Sequence, residues 1–151
     1  MHIRSATLAD IPDLLEFGQR LVTESPTFAQ RGFDNAKAAA HFKNLIAGPA
    51  AGVVFVVEIE GGIVGGFAGG IAEDWQSHHK LAFDYVLYVL PDCRKTGAGA
   101  LLIEAFIHWA KAMGAGRIQC GTATGINAQG TVSLYQHMGF ELVGHFLEME
   151  L

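Results

Sequence analysis

The chain has 151 residues, of which half are hydrophobic and 17% are charged, and its formal net charge is −5 at pH 7. This length and composition predict one globular domain over residues 1–151 and exclude an intrinsically disordered chain. The negative charge, with lysines and arginines scattered along the chain, argues against nucleic acid or anionic lipid as a partner.

The first third of the sequence predicts a strand followed by two helices. Thr7 and Asp10 form a reciprocal capping pair for the first helix, in which apolar residues recur at helical spacing. Asp34 can cap the second helix, and Gly48-Pro49 stops it. The predicted elements are a strand at 2–6, a helix that follows the cap Thr7 and runs to about Val22, and a helix that follows the cap Asp34 and runs to Ile46.

The middle of the sequence predicts an antiparallel meander of three strands, at 53–59, 63–72 and 81–90. A tight turn at Glu60-Gly61-Gly62 joins the first two strands as a hairpin. Four glycines in the returning strand indicate bulges or a close approach of another backbone. The third strand is rich in aromatic and β-branched residues and ends at Pro91.

The last third of the sequence predicts a helix at 101–113, a strand at 117–123, a short helix at 131–138 and a terminal strand at 140–151. The strand at 81–90, the long helix and the strand at 117–123 form a βαβ unit, whose two strands should be parallel. We therefore expect a mixed α/β sheet with the element order β-α-α-β-β-β-α-β-α-β.

The sequence carries no sign of a metal site, a disulfide framework or a membrane segment. Cys93 and Cys120 form neither a CxxC pair nor a zinc-ligand spacing. Adjacent His78 and His79 would point to opposite faces of a strand. No apolar run approaches the roughly 20 residues that a membrane helix needs, and residues 1–10 lack a signal-peptide core. A cytoplasmic location is the expectation.

The turn at residues 89–100 joins a strand to the N-terminus of a helix. Free N–H groups and the positive end of the helix dipole make such a terminus a binding site for phosphate. Gly97 and Gly99 let the backbone approach an anion, and Lys95 adds positive charge. The dinucleotide fingerprint would need a third glycine at Leu102, and the P-loop would need Gly-Lys-Ser/Thr, so both are excluded. Tight packing of the helix start remains the alternative.

Two motifs resemble those of the GNAT superfamily, the acetyl-coenzyme A-dependent N-acyltransferases. Arg94-Lys95-Thr96-Gly97-Ala98-Gly99 matches that family's Arg/Gln-x-x-Gly-x-Gly/Ala turn, and Leu134-Tyr135-Gln136-His137-Met138-Gly139-Phe140 matches its Leu-Tyr-x-x-x-Gly-Phe. The resemblance implies a six- to seven-stranded mixed sheet with helices on both faces. It also implies direct acetyl transfer from acetyl-coenzyme A to a primary amine.

The resemblance further implies how the cofactor is held. The strands at 81–90 and 117–123 would splay apart, and the backbone of the first strand would pair with the pantetheine arm. An Asn that the family often has at position 128 is Ala here, and Asn127 is expected to take its place. The implied cofactor-binding residues are Leu87, Tyr88, Val89, Arg94, Lys95, Thr96, Gly97, Ala98, Gly99, Ala100 and Asn127.

Acetyl transfer to an amine needs a base, an oxyanion donor and an acid. A lysine-like amine, with a pKa of about 10.4, is almost entirely protonated at pH 7. Tyr135 is the expected acid for the departing thiolate, or else a buried aromatic side chain. The resemblance implies the N–H of Val89 as the oxyanion donor. Asp84 is the expected base, or else a carboxylate at the solvent end of the sheet. Other candidate bases are Glu73, His78 and His79.

The acceptor is not encoded in a motif that can be read. We expect a small molecule or a peptide, with Trp75 and Phe28 as candidate lining residues, and the family resemblance implies a homodimer. Cys120 is expected to be a small core residue. The rival interpretation is a coenzyme A-binding protein that has lost catalysis and acts as a sensor or structural partner.

Overall fold

The computed structural model describes all residues from 1 to 151 and contains one five-stranded mixed sheet with four α-helices. The strands follow one another in chain order across the sheet, antiparallel from β1 to β4 and parallel between β4 and β5. The elements are β1 (His2–Ser5), α1 (Ile11–Glu24), α2 (Asn35–Ala47), β2 (Gly52–Ile59), β3 (Gly62–Glu73), β4 (Lys80–Val89), α3 (Ala98–Ala112), β5 (Arg117–Gln119) and α4 (Ala128–His137).

The predicted capping pair is present at the start of α1. The carboxylate of Asp10 accepts hydrogen bonds from the N–H of Thr7 at 2.7 Å and from its hydroxyl at 3.0 Å. Arg4 of β1 donates two further bonds to the same carboxylate, at 2.7 and 2.9 Å. The hydrogen bonds from Arg4 lower the pKa of the Asp10 carboxyl well below its usual range, although burial of the carboxyl acts in the opposite direction. The pair therefore fixes α1 to the edge strand of the sheet.

Helices cover both faces of the sheet, as predicted. Phe67 of β3 packs with Leu102 and Phe106 of α3 on one face, and Tyr135 of α4 belongs to the same buried cluster. Leu14 of α1 and Phe42 and Leu45 of α2 pack with alternate residues of β2 on the opposite face. Burial of these apolar side chains supplies most of the stabilisation, at about 25 cal/mol per Å².

The glycines of β3 permit the close approach that the sequence indicated. A Cβ atom at Gly69 would lie 2.4 Å from the ring of Phe106, so a side chain there would push α3 away from the sheet. The hairpin before it is also as predicted, with Glu60 and Gly61 both at positive φ in a two-residue turn.

A β-bulge in β4 controls which way its side chains point. Ala68 of β3 pairs with Val86 and Gly69 pairs with Asp84, so Tyr85 is the extra residue. Tyr85 and Val86 consequently both face α1 and α2: Tyr85 contacts His41 of α2, and Val86 packs beside the α1 and α2 core. Asp84 and Leu87, although three residues apart, both face α3 and α4.

The prediction of six or seven strands is wrong at the C-terminal end. Residues 140–151 form no strand, and β5 has three residues where a strand at 117–123 was predicted. The tail is exposed and is not paired with the sheet. Instead, Glu148 forms an ion pair with Arg31 in the connection between α1 and α2. A segment forms a strand only where its backbone N–H and C=O groups find hydrogen-bond partners at a sheet edge.

Helices α3 and α4 each begin three residues before the predicted start. Gly97 and Asn127 occupy the N-cap positions, so Gly99 and Gly130 lie inside the first turns. Glycine destabilises the middle of a helix far more than its first turn. The prediction treated Gly99 and Gly130 as part of the preceding loops and therefore began both helices too late. No helix of the structure is long and apolar enough to span a membrane.

Candidate active site

A gap opens between the parallel strands β4 and β5. The two strands pair at three positions, the last of which joins Phe83 to Gln119, and beyond it the edge of β4 is free as far as Val89. Leu90 donates its N–H to Val64 on the β3 side. Because successive N–H groups of a strand point to opposite sides, those of Leu87 and Val89 point into the gap. The pairing of β4 with β5 thus stops because β5 ends at Gln119, and the splaying of two longer strands stays a prediction.

The turn before α3 has the features of a phosphate cradle. Lys95 and Gly97 adopt positive φ values of 67° and 92°. No N–H group of residues 95–100 donates a hydrogen bond within the protein, although Leu101, the next residue, already bonds to Gly97. No protein atom lies within 4 Å of the place where a Cβ of Gly97 would be. Consecutive free N–H groups at a helix N-terminus over open space fit a diphosphate.

Arg94 and Tyr88 use their side chains within the protein. The guanidinium of Arg94 forms a bidentate ion pair with Glu24, the last residue of α1, and its Nε donates to the carbonyl of Val89 at 3.0 Å. Tyr88 is buried against Phe17 and donates its hydroxyl to Glu24 at 3.3 Å. Direct side-chain contacts of Arg94 and Tyr88 with a cofactor therefore stay predictions.

The predicted acid and base lie side by side at the edge of the gap. The Tyr135 hydroxyl on α4 donates to the Asp84 carboxylate on β4 across 3.4 Å, and the N–H of Gly121 donates to the other carboxylate oxygen across 3.3 Å. Tyr135 is 7% exposed, and the ring of Phe140 packs against its edge. Since β4 carries Asp84 and α4 carries Tyr135, the pair joins the two sides of the gap.

Burial sets the protonation states of this pair. It raises the pKa of Asp84 to about 6, despite the hydrogen bonds from Gly121 and Tyr135 that favour the carboxylate. Burial also raises the pKa of Tyr135 far above its usual value, and the neighbouring Cys120 and Asp84 add to the effect. At neutral pH the carboxylate can therefore accept a proton while the phenol holds one.

Cys120 lies beside this pair as an inert thiol. Burial, followed by the nearby charge of Asp84, raises its pKa to about 12. A thiol that stays protonated at neutral pH is a poor nucleophile. Its partly buried side chain packs against the α3 core, which agrees with the expected core role.

Asn127 has a structural role as the N-cap of α4. Its side-chain oxygen accepts the N–H of Gly130 at 3.1 Å. A Cβ at Gly130 would clash with that side chain at 2.4 Å, so the glycine makes room for the cap. Capping uses the oxygen of the amide, and a contact between Asn127 and the cofactor stays a prediction.

The alternative bases lie at the wrong end of β4. Glu73 pairs with Lys80, the first residue of β4, and the turn between them carries His78, His79 and Trp75. Nine residue steps along a strand place this turn about 30 Å from Val89. These residues are therefore remote from the phosphate cradle, and among the candidate bases Asp84 alone contacts Tyr135.

Three further residues at this site escaped the sequence analysis, which assigned them to a connecting loop. Ser25 is 1% exposed, and its hydroxyl donates to the carbonyl of Thr124 at 2.5 Å. The hydroxyl of Thr27 donates to the carbonyl of Ala123. Glu24 holds Arg94 from the same segment. One signal was present: an acid at the C-terminal end of a helix opposes the helix dipole, which indicates a partner elsewhere.

Comparison with known proteins identifies the family. Residues 19–140 match the model of the acetyltransferase (GNAT) family. The chain is 28% identical over 145 residues to an uncharacterised N-acetyltransferase, YjgM of Escherichia coli K12, covering 96% of this chain and 84% of that protein.

Solved structures share the fold over the whole chain. A putative acetyltransferase from Agrobacterium tumefaciens superposes with a TM-score of 0.78 at 21% identity, covering 100% of both chains. AAC(6')-Iy, solved with the bisubstrate analogue CoA-S-monomethyl-acetylneamine, superposes with a TM-score of 0.78 at 19% identity, covering 99% of this chain and 97% of that one. Since the family model spans residues 19–140, this chain belongs to the acetyltransferase (GNAT) family.

Proposed function

We propose that this protein transfers the acetyl group of acetyl-coenzyme A to a primary amine of a small molecule or peptide. One observation carries the proposal: the phenol of Tyr135 and the carboxylate of Asp84 meet at 3.4 Å beside the free edge of β4. A bound acetyl-coenzyme A would supply a thioester, whose carbonyl carbon an amine attacks and whose sulfur departs as a thiolate. Asp84 takes the proton of the amine, and Tyr135 gives one to the sulfur.

The cradle and the free strand edge would hold the cofactor. Free N–H groups of residues 95–100 suit the diphosphate, and the unpaired edge of β4 suits an extended amide-containing arm that adds like a strand. Each contact uses backbone groups that lack a protein partner, so binding satisfies them without displacing existing bonds.

Leu87 is better placed than Val89 to polarise the thioester. Both N–H groups point into the gap, but the acid lies beside Asp84. Leu87 is three residues from Asp84, about 10 Å along the strand, and Val89 is five residues away, about 16 Å. The oxyanion donor must reach the carbonyl oxygen of the thioester, and the acid must reach the sulfur bonded to the same carbon, so the two groups must lie close together. Leu87 meets this requirement better than Val89.

Release of free thiol from acetyl-coenzyme A in the presence of a panel of amines tests this function. The panel should include polyamines, amino sugars, free amino acids and short peptides. We expect amine-dependent release for at least one class, together with the acetylated product by mass spectrometry. Binding of coenzyme A without release for any amine would support the sensor alternative and contradict the proposal.

A further inference from the structure

The segment at residues 24–27, here called the brace, spans the gap between β4 and β5. At one end Glu24 binds Arg94, whose Nε in turn holds the carbonyl of Val89 at the end of β4. At the other end the hydroxyls of Ser25 and Thr27 donate to backbone carbonyls of the segment that follows β5. The brace thus contacts both sides of the gap beyond the last paired residues, Phe83 and Gln119, where no sheet hydrogen bonds join the two sides.

These contacts are built into the packing and are not incidental surface bonds. Ser25 is fully buried, and its hydroxyl also accepts the N–H of Phe28 at 3.0 Å. Pro26 seats against Gly125, where a Cβ would come within 2.9 Å of its ring. Gly125 itself adopts a φ of 68°, which an L side chain rarely takes. The segment after β5 is thus shaped to receive the brace.

The brace approaches from one face of the sheet only. It continues α1, which packs on the face opposite α3 and α4. The phosphate cradle begins α3, so the brace leaves the cradle side of the gap open. An acceptor that enters from the α1 face would have to pass beside the brace.

From this arrangement we infer that Glu24, Ser25 and Thr27 are positioning residues that set the width of the gap. Their hydrogen bonds hold the segment that leads into α4, and α4 carries Tyr135. Without the brace, the two sides are joined by three residues of parallel pairing and by the hydrogen bonds that Gly121 and Tyr135 donate to Asp84. The brace thereby keeps the acid on one side within reach of the strand edge on the other. This inference rests on the proposed function.

The test removes the hydroxyls at the β5 end of the brace. The Ser25→Ala, Thr27→Val double variant is compared with Thr27→Ser, which keeps a hydroxyl at Thr27. Thr23→Val is the matched control, because the hydroxyl of Thr23 donates to the carbonyl of Gln19 within α1 and forms no hydrogen bond to either side of the gap. Three quantities are measured: the affinity for coenzyme A by calorimetry, amide hydrogen exchange of residues 119–126 in the free protein, and kcat with KM for acetyl-coenzyme A.

We expect the double variant to bind coenzyme A up to about 25-fold more weakly, since each of the two lost hydrogen bonds contributes about a factor of five. Exchange at residues 119–126 should quicken, and kcat should fall along with the rise in KM. In Thr27→Ser and Thr23→Val, the affinity, the amide exchange and the kinetic constants should all stay within about twofold of those of the parent protein. A double variant with parental affinity and exchange would overturn the inference.

A second variant and the parent protein separate the remaining outcomes. If the double variant does not fold, Glu24→Gln replaces it. This change weakens the ion pair with Arg94 at the β4 end of the brace, where the side chain is only partly buried. The same loss of affinity for coenzyme A is expected. Parental affinity in Glu24→Gln would then contradict the inference. If the parent binds coenzyme A but acetylates no amine, the proposed function fails, while exchange and affinity still decide whether the brace sets the gap.

Discussion

The two sides of the gap are held by different forces. On one side, β4 pairs with β3 along its whole length, and the ladder that carries Asp84, Leu87 and Val89 is interrupted only by the bulge at Tyr85. On the other side, β5 has three residues, and the segment that follows it is fixed by side-chain hydroxyls. Breaking a backbone ladder requires several bonds to open together, whereas a side-chain bond opens alone. We therefore expect the β4 side to be rigid and the Tyr135 side to be adjustable.

The largest effect should come from the acid on the adjustable side. Tyr135→Phe removes the proton donor of the thiolate and should lower kcat by roughly 100-fold or more. The affinity for coenzyme A should hardly change, because the ring and its packing against Phe140 remain. Steady-state kinetics and calorimetry measure the two quantities. Turnover within a few-fold of the parent protein would remove Tyr135 from the mechanism.

The base on the rigid side should give a smaller effect with a distinctive pH dependence. In the parent protein, kcat/KM should fall about tenfold per pH unit below pH 6, because the pKa of Asp84 is about 6 and only its carboxylate accepts a proton. Asp84→Asn should lower kcat/KM about 30-fold at pH 8 and remove this acid limb.

Asp74→Asn supplies the charge-matched control for that experiment. Asp74 lies on the β3–β4 turn, at the far end of β4, and its variant should keep the parental pH profile. An acid limb that persists in Asp84→Asn would show that another group is the base.

The phosphate cradle should respond to one added methyl group. Gly97→Ala places a Cβ in the open hollow over the free N–H groups and should weaken coenzyme A binding about tenfold, as measured by calorimetry. Gly61→Ala is its matched control, since Gly61 also has positive φ and open space but lies in the β2–β3 turn. Both variants should lose about 1 kcal/mol of stability from backbone strain. Equal affinities in the two variants would contradict the cradle.

The smallest expected effect is a gain of stability on the rigid side. The folded protein raises the pKa of Asp84 from 3.8 to about 6, so ionisation of this group costs stability as the pH rises from about 4 through 6. In denaturant unfolding at pH 8, Asp84→Asn should therefore be more stable than the parent, by up to about 3 kcal/mol. The difference should vanish below pH 4. A less stable variant at pH 8 would mean that burial does not strain this carboxylate.

The sequence predicted the features that local chemistry specifies. The glycine turn was identified from its place before a helix and Asp84 from its position on a strand, whereas the role of Tyr135 came from the family resemblance. The brace was missed, because nothing in the residues around Ser25 and Thr27 tells which carbonyls, some hundred residues later, they will meet. A terminal strand at 140–151 was predicted, but nothing in those residues reveals whether the sheet would accept them.

The bulge at Tyr85 imposes a parity rule on β4. In a regular strand, residues an odd number of positions apart face opposite ways, yet Asp84 and Leu87 share a side because one supernumerary residue lies between them. Regular alternation at the present chain length would turn either Asp84 or Leu87 toward α1, whereas deleting one residue between them would leave both on the same side. The extra residue thus lets β4 place Tyr85 against His41 of α2 without separating Asp84 from Leu87.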